Sequence, residues 1–97
     1  MNRRVIRADI ADRDLAQIWS YVARDNPAAA DRLIQSIERA IQSLAAEPEL
    51  GTRMDHIAPG LYCKPVRKNY LIFYTVQDKQ LFIVRALHGA RAYDQLF

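Results

Sequence analysis

Residues 70–91 read YLIFYTVQDKQLFIVRALHGAR, and this stretch decides the fold. An apolar and aromatic run (70–76) is followed by a polar interruption (77–80) and a second apolar run (81–87). Both runs have the length of a strand and are rich in β-branched and aromatic residues, which predicts a β-hairpin. The first run is apolar on both sides, so we expect a central strand covered on both faces. Polar chemistry returns at residues 88–91, where we expect the functional site.

Length and composition predict one folded domain, residues 1–97. The hydrophobic fraction is 51 % and the charged fraction 26 %, which are ordinary values for a soluble globular protein. No apolar run approaches the ~18 residues of a membrane helix, and the first residues lack the apolar core of a signal peptide. A single cysteine, Cys63, excludes an internal disulfide and agrees with a reducing compartment. We therefore expect a cytoplasmic protein without a membrane partner.

The first half of the chain predicts an edge strand followed by two amphipathic helices. Residues 3–8 read as the strand, and Asp9 as the cap of a helix over residues 10–24, with Asp12 in the place of a capping-box acid. Asp14 is expected on the polar face of that helix. Asn26 and Pro27 mark the start of a second helix that ends near residue 46. The tight connection makes the two helices antiparallel, so their apolar stripes need a sheet to cover them.

The second half predicts three strands. Residues 48–60 form a loop with room for one short strand or turn, and residues 61–67 form a strand that leads into the central hairpin. Pro65 lacks an N–H group, so this strand is expected to lie at an edge or to bulge there. The resulting order is β-α-α-β-β-β, an α+β fold in which an antiparallel helical hairpin packs on a mainly antiparallel curled sheet.

The sequence lacks the residue patterns that most catalytic sites require. Cys63, His56 and His88 are far apart and form no metal-binding pair, so neither a metal nor another cofactor is expected. The serines lie in the middle of the helices, away from any strained turn that would activate a nucleophile. Cys63 is interpreted as a small buried hydrophobe.

A group of cationic and aromatic residues remains in and around the central β-hairpin: Arg67, Tyr70, Tyr74, Arg85, His88, Arg91 and Tyr93. Tyr70 and Tyr74 are expected in the core. Strand alternation places Arg85 on the face of Leu81, Ile83 and Leu87, with His88 on the other face. Arg85 either bonds at the sheet margin, to a carboxylate such as Asp94 or to loop carbonyls, or belongs to a basic surface for an acidic target. His88 is either a structural hydrogen-bonding residue or a general acid or base.

Four segments together resemble one family. They are the NP-x-AA step between the helices, the ELGTR loop, the GLY…V-x-x-NYLIFY run and the R-x-LHGAR segment. In this order, over residues 5–91, they resemble the ParE branch of the RelE/ParE superfamily, the toxins of bacterial type II toxin–antitoxin modules, some of which act in plasmid stabilization. The resemblance implies a cognate ParD-like antitoxin whose C-terminal segment wraps the toxin and whose ribbon-helix-helix part binds operator DNA. It therefore implies a hetero-oligomer that meets DNA only through the antitoxin.

The resemblance also leaves three functions to compare. ParE toxins inhibit DNA gyrase, whereas RelE toxins cleave mRNA in the ribosome with cations at positions that correspond here to Cys63, Pro65 and Leu71. The absence of cations at these three positions favours a gyrase inhibitor that is not an enzyme. A ribosome-dependent endoribonuclease is the alternative. A third possibility is a non-toxic interaction module, because Ala92 stands where relatives carry an acid.

Two sets of site residues follow from the resemblance and the charge pattern. Target binding is assigned to Arg67, Arg85, His88, Arg91 and Tyr93. Antitoxin binding is assigned to Leu15, Trp19, Tyr62, Arg67 and Arg85. We expect apolar anchors of the antitoxin along the hairpin groove, and an added strand or an acidic segment near Arg67, Arg85 and Arg91.

Overall fold

Two helices pack on a five-stranded mixed sheet. The computed structural model describes residues 2–91 and 93–97. Its elements are β1 (Arg4–Arg7), α1 (Asp9–Ala23), α2 (Pro27–Ala46), a 3₁₀ helix (Pro48–Leu50), β2 (Thr52–Arg53), β3 (Tyr62–Val66), β4 (Tyr70–Gln77), β5 (Gln80–His88) and a second 3₁₀ helix (Tyr93–Leu96). The strand order is β1-β5-β4-β3-β2. Only the β1–β5 pair is parallel among these strands, so the α+β prediction and the element order are confirmed, with β2 as the short strand inside the loop.

The two helices begin in different ways. Asn26 caps α2 as predicted, because its Oδ1 accepts a hydrogen bond from Ala29 N at 3.0 Å. The predicted cap of α1 by Asp9 is wrong: Ala8 is the N-cap residue and makes no side-chain cap bond. The Ala8 N–H donates to the Ile83 carbonyl, which fixes Ala8 as an extended residue and moves Asp9 into the first turn. Asp12 pairs instead with Arg7, its Oδ1 lying 3.0 Å from Arg7 Nε.

The core is divided by the sheet. On the helix side, the stripes of α1 and α2 pack against β4 and β5 residues that include Ile72, Tyr74, Leu81 and Ile83. On the other side, Phe73 is fully buried in a cluster with Leu61, Cys63 and Leu87, which the 54–58 loop and the tail partly cover. The central position of β4 and its coverage on both faces are therefore confirmed.

Two titratable groups are buried beside the sheet, and one of them, Tyr74, fixes the loop after α2. The Tyr74 hydroxyl donates to the Pro48 carbonyl and accepts from Gly51 N, and burial raises the pKa of Tyr74 to about 12. Burial likewise raises the pKa of the Cys63 thiol to about 11. Cys63 is 6 % exposed, which confirms the prediction of a small buried hydrophobe.

A bulge in β5 changes which residues share a face. Phe73 pairs with Arg85 but Tyr74 pairs with Ile83, so Val84 is an extra residue in β5. Leu81 and Ile83 therefore face the helices, whereas Leu87 lies in the opposite cluster. The predicted common face of Arg85 with Leu81, Ile83 and Leu87 is wrong, because strict alternation does not survive an inserted residue.

Pro65 occupies the edge position that was predicted. β2 pairs with β3 only at Tyr62 and Cys63, so it ends before Pro65 is reached. The following turn has left-handed backbone at Arg67 (φ 50°) and Lys68 (φ 66°), which returns the chain into β4. Within residues 2–91 and 93–97, no helix is long and apolar enough to cross a membrane.

Candidate functional site

One end of the sheet collects most of the cationic residues singled out above. Tyr70 pairs with Val66 on one side and with His88 on the other, so the turn after β3 adjoins the end of β5. Gly89 N donates to the Asn69 carbonyl at 2.6 Å and ties these two segments together. Arg67, His88 and Arg91 therefore lie at the same end of the molecule, as one binding surface would require.

A groove of about 390 Å³ opens at this end between α1 and β5. We call it the β5 groove; its lining residues are Asp14, Gln17, Ile18, Tyr21, Tyr70, Ala86, Leu87, His88 and Arg91. Its size is within the usual range of small-ligand sites. His88 and Arg91 are thus in one groove, together with α1 residues that sequence reasoning did not assign.

A buried ion pair lies behind one wall of the groove, and its acid, Asp14, lines that wall. Arg85 Nε and Nη2 donate to Asp14 Oδ2 and Oδ1 at 2.8 and 2.9 Å, and Ala86 N donates to Asp14 Oδ2 at 3.1 Å. The exposed fractions of the two residues are 4 % for Asp14 and 8 % for Arg85. The hydrogen bond to Asp14 raises the pKa of Arg85, which remains charged.

This pair corrects two expectations. Asp14, not Asp94, is the partner of Arg85, and Asp14 is buried instead of lying on the polar face of α1. A signal for its burial was present, because position 14 lies three and four residues from Ala11 and Ile18 on the apolar stripe. Arg85 is therefore covered, and it supports a binding surface indirectly, by fixing the end of β5.

His88 is exposed at the mouth of the groove. Its Nδ1 accepts a hydrogen bond from Ala90 N at 3.0 Å, and its ring meets the Tyr70 ring edge-on at a centroid distance of 5.2 Å. An accepting Nδ1 places the proton of the neutral ring on Nε2. The geometry therefore presents a donor to the groove and occupies the nitrogen that would act as a base.

The remaining target-binding candidates lie to either side of the groove. Arg67 is exposed, and its Nε donates to Ser36 Oγ on α2 at 3.0 Å. Tyr93 packs on Phe73 at a centroid distance of 5.2 Å, in the cluster on the opposite face of the sheet. The structure therefore brings Arg67, His88 and Arg91 together and separates Tyr93 from them.

The antitoxin-binding candidates lie in separate regions. Leu15 is buried in the helix-side core. Trp19 is exposed, and its Nε1 donates to Asp31 Oδ1 at 2.8 Å, which links α1 to α2. Tyr62 stacks on Tyr74 at 5.2 Å near the β2 edge, with the Arg53 guanidinium 5.2 Å from its ring centroid. A partner that touched all of them would have to wrap around the molecule.

Metal ligands do not gather in the described part of the chain, since residues 2–91 and 93–97 contain no cluster of three or more His, Cys, Asp or Glu side chains. Ala92, the position at which the resemblance implies an acid, lies outside the described residues.

Solved toxin–antitoxin structures share this fold. The chromosomal ParDE toxin–antitoxin system from P. aeruginosa matches with a TM-score of 0.75 at 20 % identity, over 89 % of this chain and 95 % of that chain. The RelBE2 toxin–antitoxin complex from Mycobacterium tuberculosis matches with a TM-score of 0.67 at 22 % identity, over 91 % and 99 % of the two chains. The architecture is therefore that of the ParE/RelE class.

Sequence comparison identifies the family. Toxin RelE2 of Caulobacter vibrioides is 36 % identical over 80 % of this chain and 85 % of its own length. Toxin ParE1 of Mycobacterium tuberculosis is 30 % identical over 91 % of both chains. The family model described as ParE toxin of type II toxin-antitoxin system, parDE, matches residues 5–93, and this chain belongs to that family. The resemblance noted in the sequence is confirmed, and the chain is a toxin of a type II toxin–antitoxin system.

Proposed function

We propose that this toxin inhibits DNA gyrase in the cytoplasm by binding it, without cleaving a covalent bond. The observation that supports this function is the character of the three positions where RNA-cleaving relatives are expected to carry cations. Cys63 is a buried neutral thiol, Pro65 has no ionisable group, and Leu71 is a half-buried apolar residue. None of the three can stabilise the negative charge that develops during phosphodiester cleavage.

The bonding of Arg85 and His88 supports the same proposal. Arg85 is held by Asp14 beneath the surface, so its charge is already balanced. His88 Nδ1 accepts a hydrogen bond from the Ala90 amide, so its lone pair is directed at the backbone and not at a substrate. A surface of donors without a base is suited to recognition of a partner.

We assign the contact with the target to Arg67, His88 and Arg91, which are exposed at one end of the sheet. Arg85 supports this surface from below by fixing the end of β5. Tyr93 lies beside the opposite face, where it would meet only a target that extends around the end of the sheet.

We further propose a ParD-like ribbon-helix-helix antitoxin as the partner that neutralises the toxin in a hetero-oligomer, with operator DNA bound by the antitoxin alone. Trp19, Tyr62 and Arg67 offer side chains to such a partner, whereas Leu15 and Arg85 lie below the surface and maintain its shape. A gene for a short ribbon-helix-helix protein beside the toxin gene is expected.

A supercoiling assay with purified gyrase tests the proposed function. The toxin should block supercoiling, and addition of the cognate antitoxin should restore it. Normal DNA supercoiling by gyrase in the presence of excess toxin would contradict the proposal. Induced expression without the antitoxin gives a second test, because normal growth would favour the non-toxic interaction module.

A ribosome-dependent endoribonuclease is the second candidate, favoured by a proton donor, His88 Nε2–H, near Arg67 and Arg91 at one end of the sheet. Mapping of mRNA ends with purified toxin and translating ribosomes distinguishes the two functions. Gyrase inhibition predicts no new ends. New ends with the wild type that disappear with His88→Ala would establish the nuclease.

A further inference from the structure

We propose that the β5 groove is an anchoring pocket for a protein segment that places a large apolar side chain next to a carboxylate. The inference rests on the proposed function, since it gives the chemistry of the target segment that would contact His88 and Arg91. It follows from two properties of the groove: what its walls are made of, and which polar atoms are still able to bond.

The walls are apolar and aromatic. Ile18 and Tyr21 come from α1, and Tyr70 and Leu87 come from neighbouring strands. Tyr21 is 70 % exposed although it carries a large ring, so a partner that covered it would bury apolar surface at little cost. At about 390 Å³ the groove has room for one aromatic or large aliphatic side chain.

The one acid in the groove is already neutralised. Both oxygens of Asp14 accept bonds from Arg85, and Oδ2 accepts a third from Ala86 N. Asp14 therefore neither repels an anion as a free carboxylate would nor offers its oxygens to a cationic ligand. A positively charged partner gains nothing from this wall.

The rim offers donors. Arg91 carries a guanidinium, and His88 presents Nε2–H because its Nδ1 is occupied by the Ala90 amide. Gln17 is neutral and does not alter the balance of charge. An acceptor with negative charge suits both donors, and a carboxylate accepts from the guanidinium in a charge-assisted bond.

The walls also select against nucleic acid as the occupant. Phosphate backbones are bound by rows of exposed Lys and Arg side chains. The lining of this groove contributes one exposed arginine and four large apolar side chains. The partner segment is therefore an acidic peptide with an apolar anchor.

Phenylpropionate is the probe that combines the two features, and phenylpropionamide and propionate each lack one of them. Titrations of the isolated toxin, followed by nitrogen–proton correlation NMR, should show saturable shifts for phenylpropionate at residues 17–21 and 86–91. The amide should bind at least about fivefold more weakly, because a charge-assisted bond is lost. Propionate should not saturate, because the apolar anchor is missing.

Arg91→Gln should weaken phenylpropionate binding to the level of the amide. Arg4→Gln is the matched control, because Arg4 is exposed and pairs with Gln80 at the far end of the sheet from His88. It should bind phenylpropionate as the wild type does. An equal loss in both variants would show a non-specific charge effect and would overturn the proposal.

Three other results would also overturn it: no saturation by phenylpropionate, equal affinity for acid and amide, or shifts that map away from the groove. Shifts at the groove that depend on toxin concentration alone would identify a second copy of the chain as the occupant and would equally reject the peptide. Gyrase inhibition is measured separately. A toxin that inhibits gyrase but ignores the probe refutes this inference alone, whereas one that binds the probe without inhibiting gyrase refutes the proposed function alone.

Discussion

Asp14 and Arg85 lie 71 residues apart in the sequence and meet below the β5 groove. A buried ion pair often contributes little net stability, because desolvation offsets the attraction between the charges. Loss of one partner is much more costly, since the other charge then remains buried without compensation. The pair therefore has its clearest effect on geometry: it fixes the strand end from which His88 and Arg91 extend.

Removal of one member of the pair should destabilise the fold strongly. Asp14→Ala leaves Arg85 and Ala86 N without an acceptor and should lower the free energy of unfolding by about 3–5 kcal/mol. The double variant Asp14→Leu/Arg85→Met should recover most of that loss, which denaturant unfolding followed by circular dichroism would measure. A double variant as unstable as Asp14→Ala would show that the charges themselves stabilise the fold.

Cys63 should be unreactive in the folded protein. Its pKa is raised from 9.0 to about 11 by burial, so at pH 8 its labelling by a thiol reagent should be on the order of 100-fold slower than in denaturant. The unfolded thiol ionises near pH 9 while the folded thiol keeps its proton. The contribution to stability is therefore complete below pH 9 and is lost as the pH rises towards 11. Cys63→Ala should lack this part of the alkaline decline, and equal declines in the two proteins would contradict the assignment.

At the scale of elements, local patterns predicted what local forces determine. The helical periodicities, the Asn26 cap and the edge position of Pro65 are encoded within a few residues of each element. The cap of α1 was mispredicted because the parallel pairing with β5 fixes Ala8. The bulge at Val84 also escaped prediction, since it arises from how β4 and β5 are paired in three dimensions.

The loop between α2 and β2 depends on a close approach at Gly51. A Cβ atom at this position would lie 2.1 Å from the Tyr74 hydroxyl and 3.0 Å from the Cys63 carbonyl. Gly51→Ala should therefore destabilise the protein by about 1–3 kcal/mol, because the buried ring cannot move away freely. Thermal unfolding of the variant measures the loss.

Tyr74→Phe provides the control for that prediction. Removal of the hydroxyl should itself cost about 1–3 kcal/mol, since Pro48 O and Gly51 N lose their partner. If the hydroxyl is the obstacle, the double variant should lose less than the sum of the two single variants. Strict additivity would place the strain elsewhere.

At the scale of the whole molecule, the exposed cations Arg67 and Arg91 lie at the end of the sheet to which we assign the target. Arg67→Glu/Arg91→Glu should weaken gyrase inhibition by about tenfold or more, and higher salt should weaken the wild type in the same direction. Arg4→Glu/Lys79→Glu changes the net charge equally at the opposite end and should have little effect. Equal losses in the two variants, in a supercoiling assay, would make net charge the cause.

The candidate site was predictable only where it depends on local patterns in the sequence. Arg67, His88 and Arg91 follow directly from strand ends, and the hairpin brings strand ends together. The α1 wall of the groove, with Ile18 and Tyr21, depends on how the helix crosses the sheet, which no local pattern specifies. Tyr93 was placed with the arginines because the bend after His88 is invisible in the sequence.

The parallel pairing of β1 with β5 has a consequence for synthesis. β1 is translated first, and its partner in the sheet is translated last among the strands. Closure of such a distant contact is slow and requires every element from β1 to β5. Until β5 has emerged from the ribosome, β1 has no partner strand and the sheet stays incomplete. A nascent chain without β5 also lacks His88 and Arg91, so we expect it to be unable to bind the target until this strand has been made.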